Sequence, residues 1–119
     1  MLQDTCCSIV PYFQINPGQV AAFKQLGERF VAASRQEEKC LYYGFSFHED
    51  IVHCREGYQD AEGVLTHLAN VKPLLEEALT LSMLLKLEIH GPAGELDKLR
   101  DPLAELPIEF FTLEMGFRN

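Results

Sequence analysis

The hydrophobic positions of this chain alternate over several short segments, and in the clearest of them neither side of the alternation is polar. In Cys40-Leu41-Tyr42-Tyr43-Gly44-Phe45-Ser46-Phe47, successive strand residues point to opposite faces. Leu41, Tyr43, Phe45 and Phe47 share one face; Cys40, Tyr42, Gly44 and Ser46, small or aromatic and uncharged, share the other. Such a strand wants cover on both sides. The chain has enough helix to cover one face of a sheet, and the missing cover is most simply a second copy, so a homodimer is expected.

The rest of the pattern reads strand, helix, strand, strand, helix, strand, with a C-terminal addition. Ser8 to Ile15 predicts a first strand. Asn16-Pro17-Gly18 predicts a helix start, with Asn16 as N-cap and Pro17 at the first helical position. That helix is expected to run to about Gln36, with Val20, Phe23, Leu26, Phe30 and Val31 on one face at about 100° per residue. Cys40–Phe47 and Ile51–Tyr58 predict an antiparallel hairpin across His48-Glu49-Asp50. Asp60 is the expected cap of a second helix striped by Ala61, Val64, Leu65, Leu68 and Val71, with a break at Pro73 and further helical turns to about Leu81. Leu84 to His90 predicts a fourth strand, Glu95 to Leu103 a short helix, and Glu109 to Phe117 a last strand.

At 119 residues this is a single domain, 1–119, able to bury a core without staples. The net charge of −8 argues against nucleic acid and anionic membrane surfaces, which are bound through basic patches. No segment approaches the roughly 20 apolar residues of a membrane span, and Met1-Leu2-Gln3-Asp4 lacks the features of a signal peptide. Cys6, Cys7, Cys40 and Cys54 form no C-x-x-C unit, and Cys6 and Cys7 would point to opposite sides of a strand. Reduced buried thiols in a cytoplasmic protein are the expectation, with no metal.

The order of elements and the residues punctuating it resemble the antibiotic biosynthesis monooxygenase family of the dimeric α/β-barrel superfamily. The carriers are Asn16-Pro17-Gly18 after the first strand, Glu38-Lys39-Cys40-Leu41-Tyr42 opening the second, Glu56-Gly57-Tyr58 closing the third, and His67-Leu68 in the second helix. The likeness covers roughly residues 8 to 91. It implies an α+β, ferredoxin-like βαββαβ monomer with an antiparallel sheet. Two such sheets pack face to face as a dimeric α/β barrel, and the C-terminal short helix and strand lie outside the pattern. Family members include oxygenases that act on aromatic polyketides or quinols without metal or flavin, so no cofactor is implied. The haem-degrading members carry a ligand histidine late in the second helix, where Leu74 to Leu79 offers none. The chain also has no tryptophan, which oxygenases of the family commonly use in the pocket.

Among single residues, His67 is the one histidine in a predicted helix, about 100° from the centre of the Leu65–Leu68 stripe and so at the rim of the buried face. It suits proton transfer near neutral pH and equally suits a structural histidine bonded to a carbonyl. With Tyr43 it makes the catalytic candidate. Tyr12, His53, Phe45 and Gly27 are the substrate-binding candidates. His53 shares a strand face with Ile51 and Arg55, which fits an anionic or phenolic ligand and also a dimer interface. Gly27 falls in the stripe of helix one, where glycine costs about 1 kcal/mol against alanine; either close packing or room for a ligand would offset that. Glu37-Glu38, Glu76-Glu77 and the Asp97–Asp101 charges read as solvated faces, and no paired carboxylates emerge. The expected function is a cofactor-independent monooxygenase-like enzyme acting on a small aromatic, quinol-type or otherwise apolar molecule. The alternative is a non-catalytic ligand-binding or structural homodimer of the same fold.

Overall fold

Both strand–helix–strand halves are present and share one sheet. The structure is a computed structural model describing residues 4–119; Met1–Gln3, part of the stretch read above for a signal peptide, lie outside the described residues. The elements are β1 (Cys7–Ile15), α1 (Val20–Arg35), β2 (Cys40–His48), β3 (Ile51–Tyr58), α2 (Ala61–Asn70), α3 (Lys72–Leu81), β4 (Ser82–Gly91), α4 (Ala93–Arg100) and β5 (Glu109–Thr112). The strand order is β2-β3-β1-β4-β5. The first four strands pair antiparallel, as the ferredoxin-like pattern requires. β5 joins β4 in parallel, which makes the sheet mixed rather than antiparallel throughout. The reason is α4: a helix after β4 returns the chain before β5 begins, and a parallel neighbour needs such a crossover.

The start of the first helix differs from expectation. Asn16 does not cap α1. The Gln19 amide bonds the Asn16 carbonyl at 3.0 Å, closing a turn around Pro17 and Gly18, and the helical bonds begin with the Phe23 amide on Gln19. Gly18 holds φ at +78°, a conformation that favours glycine. The break expected near Pro73 is present: α2 ends at Asn70 and α3 begins at Lys72, with Pro73 in its first turn, where its missing donor leaves nothing unsatisfied. Asp60 caps α2 as expected, its carboxylate accepting from the Gly63 amide at 2.9 Å.

The final strand is shorter than Glu109–Phe117. Its last ladder bond runs from the Leu113 amide to the Gly91 carbonyl, where β4 ends and leaves no partner for further pairing. The residues beyond are exposed, Met115 at 83% and Phe117 at 88%.

The core lies on one face of the sheet, in two clusters. One joins Ile9, Tyr58, Ile89 and Val64 to Leu96 and Leu99 of α4. The other joins Phe13, Ile15 and Val52 to Phe23, Leu26 and Phe30 of α1 and to Val71. The other face carries Tyr12 stacked on His53, Arg55 over the Tyr42 ring, and the exposed side chains of Met83 and Leu85. This is the doubly apolar character of the strands made visible: one face is covered by helices, and the second is left with apolar and aromatic groups in reach of solvent. Among the described residues no helix is long and apolar enough to cross a membrane.

Candidate functional site

Helix α2 presses unusually close to the strands. A Cβ on Gly63 would come within 2.9 Å of the Lys39 Cβ and 3.1 Å of the Tyr58 Cβ, so only glycine lets the helix lie there without displacement. One turn further along, the same face delivers His67. Ala61, Val64, His67 and Val71 are all buried, at steps of three and four residues. His67 is 2% exposed, so it is not a rim residue. The apolar stripe in the sequence leans toward Leu65 and Leu68, which are only partly buried; the helix is rotated so that His67 stands near the centre of its inner face.

Two carboxylates flank the imidazole. Glu37, from the connection between α1 and β2, reaches Nδ1 with its oxygens at 3.0 and 3.2 Å. Glu56, on the inner face of β3, places Oε1 3.3 Å from Nε2. Both carboxylates are buried, with side-chain exposures of 5% for Glu37 and 4% for Glu56. In the sequence Glu37 reads as solvent-facing and Glu56 only as a landmark, so this pair is a correction. The reason is tertiary: Glu37 is turned inward by Asn70 of α2, whose amide donates to Oε2 at 2.8 Å and to the Ala33 carbonyl at 3.1 Å. Glu56 accepts a 2.6 Å hydrogen bond from the Tyr58 hydroxyl.

Burial pushes the Glu56 carboxyl up to about 7, against the partial relief offered by Tyr58 and Cys54. Burial also drives His67 below the ordinary histidine range, although Glu37 works the other way. Desolvation disfavours the charged form of each group. The arrangement therefore favours a neutral imidazole with Nδ1–H donating to the Glu37 carboxylate, and a Glu56 carboxyl that holds its proton near neutrality. Because the carboxylates address opposite nitrogens of one ring, they do not converge on a common point. Among the described residues no group of His, Cys, Asp and Glu is disposed to hold a metal ion.

Aromatic rings wall the centre. The Tyr58 and Tyr43 rings lie 5.0 and 5.3 Å from the His67 ring, centroid to centroid. Burial raises the Tyr43 and Tyr58 phenols and the Cys54 thiol, so these remain protonated neutral groups. Cys7 and Cys40 are likewise pushed up, to about 12 and about 11. All four cysteines are free thiols.

The six candidate residues of the sequence fall into two sets. Tyr43, Phe45, Gly27 and His67 share the helix-covered side, with the Tyr43 and Phe45 rings 5.6 Å apart. Gly27 opens no ligand space: the Phe45 ring fills the position, and a Cβ there would meet it at an ordinary 3.6 Å. Phe45 in turn packs edge-on against Phe23 and Phe30. Tyr12 and His53 are on the opposite sheet face, stacked 4.4 Å apart, with His53 Nδ1 2.8 Å from the Pro11 carbonyl. They do not join the buried centre.

Two open grooves flank the Gln36–Cys40 connection above the centre. One, about 650 Å³, runs along α2 and is lined by Glu37, Lys39, Glu62, Thr66 and Asn70. The other, about 260 Å³, lies between the end of α1 and the start of β2, with Ser34 and Tyr43 among its walls. Glu37 thus touches the first groove and His67, while Tyr43 touches His67 and the second.

No protein-family model and no curated protein sequence matches the chain. Solved structures do. MupZ from Pseudomonas fluorescens is 44% identical over 100% of this chain and 93% of its own, with a TM-score of 0.95. SnoaB from Streptomyces nogalater, a cofactor-independent oxygenase solved as a mutant, superposes with a TM-score of 0.64 at 13% identity over 71% of this chain and 90% of its own. A candidate antibiotic biosynthesis monooxygenase from Chloroflexus aurantiacus gives 0.60 at 17% identity over 75% and 94%. The last two share the fold, which is the one the sequence landmarks resemble. At 44% identity over its whole length, the chain belongs to the same family as MupZ, built on the fold of the antibiotic biosynthesis monooxygenases.

Proposed function

We propose that the chain is an acid–base enzyme that moves protons on a small, largely apolar molecule, with His67 and Glu56 as the working pair. The observation that carries this is the buried imidazole held between two carboxylates, one of which titrates at about 7. Catalytic acids and bases need such values near the working pH. In this reading His67 Nε2 takes a proton from a C–H or O–H of the substrate. Glu37 on Nδ1 fixes the tautomer and stabilises the imidazolium that forms. Glu56 gives its proton to a substrate oxygen, and transfer from Nε2 back to Glu56 Oε1 over 3.3 Å resets both groups. Tyr43 and Tyr58 exclude water and keep the exchange local.

Two features support companion readings. The fold shared with SnoaB, a cofactor-independent oxygenase, supports a version in which the molecule deprotonated by His67 is an aromatic or quinol that then passes electrons to oxygen. The uncovered sheet face, with Tyr42, Met83 and Leu85 exposed, supports a homodimer closing over it.

The test uses 5-nitrobenzisoxazole, a small aromatic whose ring opens when a base removes one proton and which needs no other reactant. Wild-type protein should accelerate that opening over buffer, and His67→Ala should lose about a hundredfold or more of the acceleration. Equal rates for the two proteins would overturn the role of His67, and a non-catalytic ligand-binding dimer would then be the better description. A hydroquinone panel in an oxygen electrode separates the oxygenase version, which predicts oxygen uptake that also depends on His67.

A further inference from the structure

Asn70 closes α2 three residues after His67, so both side chains rise from the same side of the helix. Its amide nitrogen donates to the Ala33 carbonyl at 3.1 Å and to Glu37 Oε2 at 2.8 Å. Both neighbours are acceptors, which fixes the amide with its nitrogen toward them. Ala33 lies in the last turn of α1, so one side chain ties the ends of two helices to the carboxylate that follows α1.

Glu37 depends on that bond. Its side chain is 5% exposed, yet among the described residues no lysine or arginine pairs with it. Lys39, two positions on, is engaged by Asp60 and Glu62. A buried carboxylate without a cation relies on hydrogen-bond donors. Here they are His67 Nδ1–H and the Asn70 amide, converging on Oε2 at 3.0 and 2.8 Å. Asn70 and Glu37 also stand together in the wall of the larger groove, so without the amide the carboxylate has open solvent beside it.

We propose that Asn70 is a positioning residue of the acid–base centre: it holds the Glu37 carboxylate on His67 Nδ1 and thereby keeps the ring's proton on that nitrogen, leaving Nε2 as the base. The titratable groups facing the imidazole are Glu37 from the α1–β2 connection, Glu56 and Tyr58 from β3, and Tyr43 from β2. Asn70 bonds the first of them. Removing its donor releases Glu37 toward the groove, and the imidazole loses the neighbour that favours its protonated form. The proton of the neutral ring is then no longer confined to Nδ1. An Asn70 that merely capped α1 through Ala33 would cost stability when removed and leave the imidazole as it is.

Which reaction Asn70 serves rests on the acid–base reading, whereas its hold on His67 is read without turnover. Ring-nitrogen chemical shifts of isotope-labelled protein, followed against pH, give the tautomer and titration midpoint of His67, with His67→Ala supplying the assignment. The proteins are wild type, Asn70→Ala, Glu37→Gln and the double variant, each checked for fold by circular dichroism. Asn70→Ala should move the ring from the Nδ1–H form toward mixed tautomers and lower the midpoint. Glu37→Gln should also lower the midpoint, and in that background Asn70→Ala should lower it no further. A tautomer and midpoint in Asn70→Ala that match wild type overturn the proposal, as does an equal effect of Asn70→Ala in both backgrounds. In nitrobenzisoxazole opening, Asn70→Ala should lose about tenfold in kcat with little change in KM; a kcat that holds there while falling in His67→Ala overturns the positioning role. If the ring responds as described but His67→Ala leaves the rate intact, Asn70 still sets the imidazole and the acid–base reading falls. If His67→Ala abolishes the rate while the ring ignores Asn70→Ala, that reading stands and Asn70 is a helix cap.

Discussion

Replacing Glu56 by glutamine should make the protein more stable, and increasingly so as pH rises. The carboxyl is fully enclosed and titrates at about 7 in the folded protein, against 4.5 when exposed. Below 4.5 it is protonated in both folded and unfolded chains, and its burial carries no charge penalty. Between 4.5 and about 7 the unfolded chain ionises first, so stability drains away as pH climbs through that window. Above it both states are ionised and the full penalty is present. At about 1.4 kcal/mol per pH unit, the loss is about 3 kcal/mol. Glutamine keeps the shape and accepts the Tyr58 hydrogen bond but does not ionise. The difference in unfolding free energy between Glu56→Gln and wild type should therefore be flat below pH 4.5 and grow by about 3 kcal/mol by pH 8. His67 acts in the opposite sense: its lowered value costs stability as pH falls below 6.5. Because Glu56 lies 3.3 Å from the imidazole and is coupled to it, both proteins are compared in a His67→Ala background, which removes that contribution. Urea unfolding at pH 4, 5, 6, 7 and 8 with linear extrapolation supplies the numbers. Any fixed cost of the amide appears as a constant offset. A difference that stays constant across the series would refute a burial-raised carboxyl, and one that shrinks with rising pH would mean that Glu56 is held charged.

Tyr58→Phe removes the 2.6 Å hydrogen bond that favours the Glu56 carboxylate, so the alkaline limb of any pH–rate profile governed by Glu56 should move to higher pH; a limb that stays put would detach Glu56 from the acid role. Gly27→Ala should raise stability by about 0.5–1 kcal/mol in the same urea assay, because the new methyl meets Phe45 at ordinary contact distance while the helix gains propensity; a loss would mean that the helix lies closer to the sheet than 3.6 Å implies. Met83→Glu combined with Leu85→Glu should convert a dimer to monomer in light scattering, since both side chains stand exposed on the uncovered sheet face; wild type that is already monomeric would leave that face without its proposed cover.

What is legible in the sequence is what local chemistry controls. Period-two alternation places β1 to β4 within a few residues, and Asp60 announces α2 because a cap needs only a carboxylate three residues before an amide. What is illegible depends on groups far apart in the chain. Glu37 reads as half of an exposed acidic pair until Asn70, on another helix, donates to its oxygen. Glu56 reads only as a landmark, and the one signal it offers is its place in a strand whose inner neighbours are Val52, Cys54 and Tyr58: a carboxylate at an inward position must be neutral or paired. The same logic moves His67 inward, since Val64 and Val71 bracket it at helical spacing on the buried face. Hydrophobicity alone weights Leu65 and Leu68 more heavily and rotates the helix away from it. The polar residues that violate an apolar pattern are therefore the better guide to the site than the aromatic ones that satisfy it. Gly27, which in the sequence leaves close packing and ligand room both open, packs against Phe45. Glu37 and Glu56, which look solvated or incidental there, are where the fold leaves ionisable groups under cover.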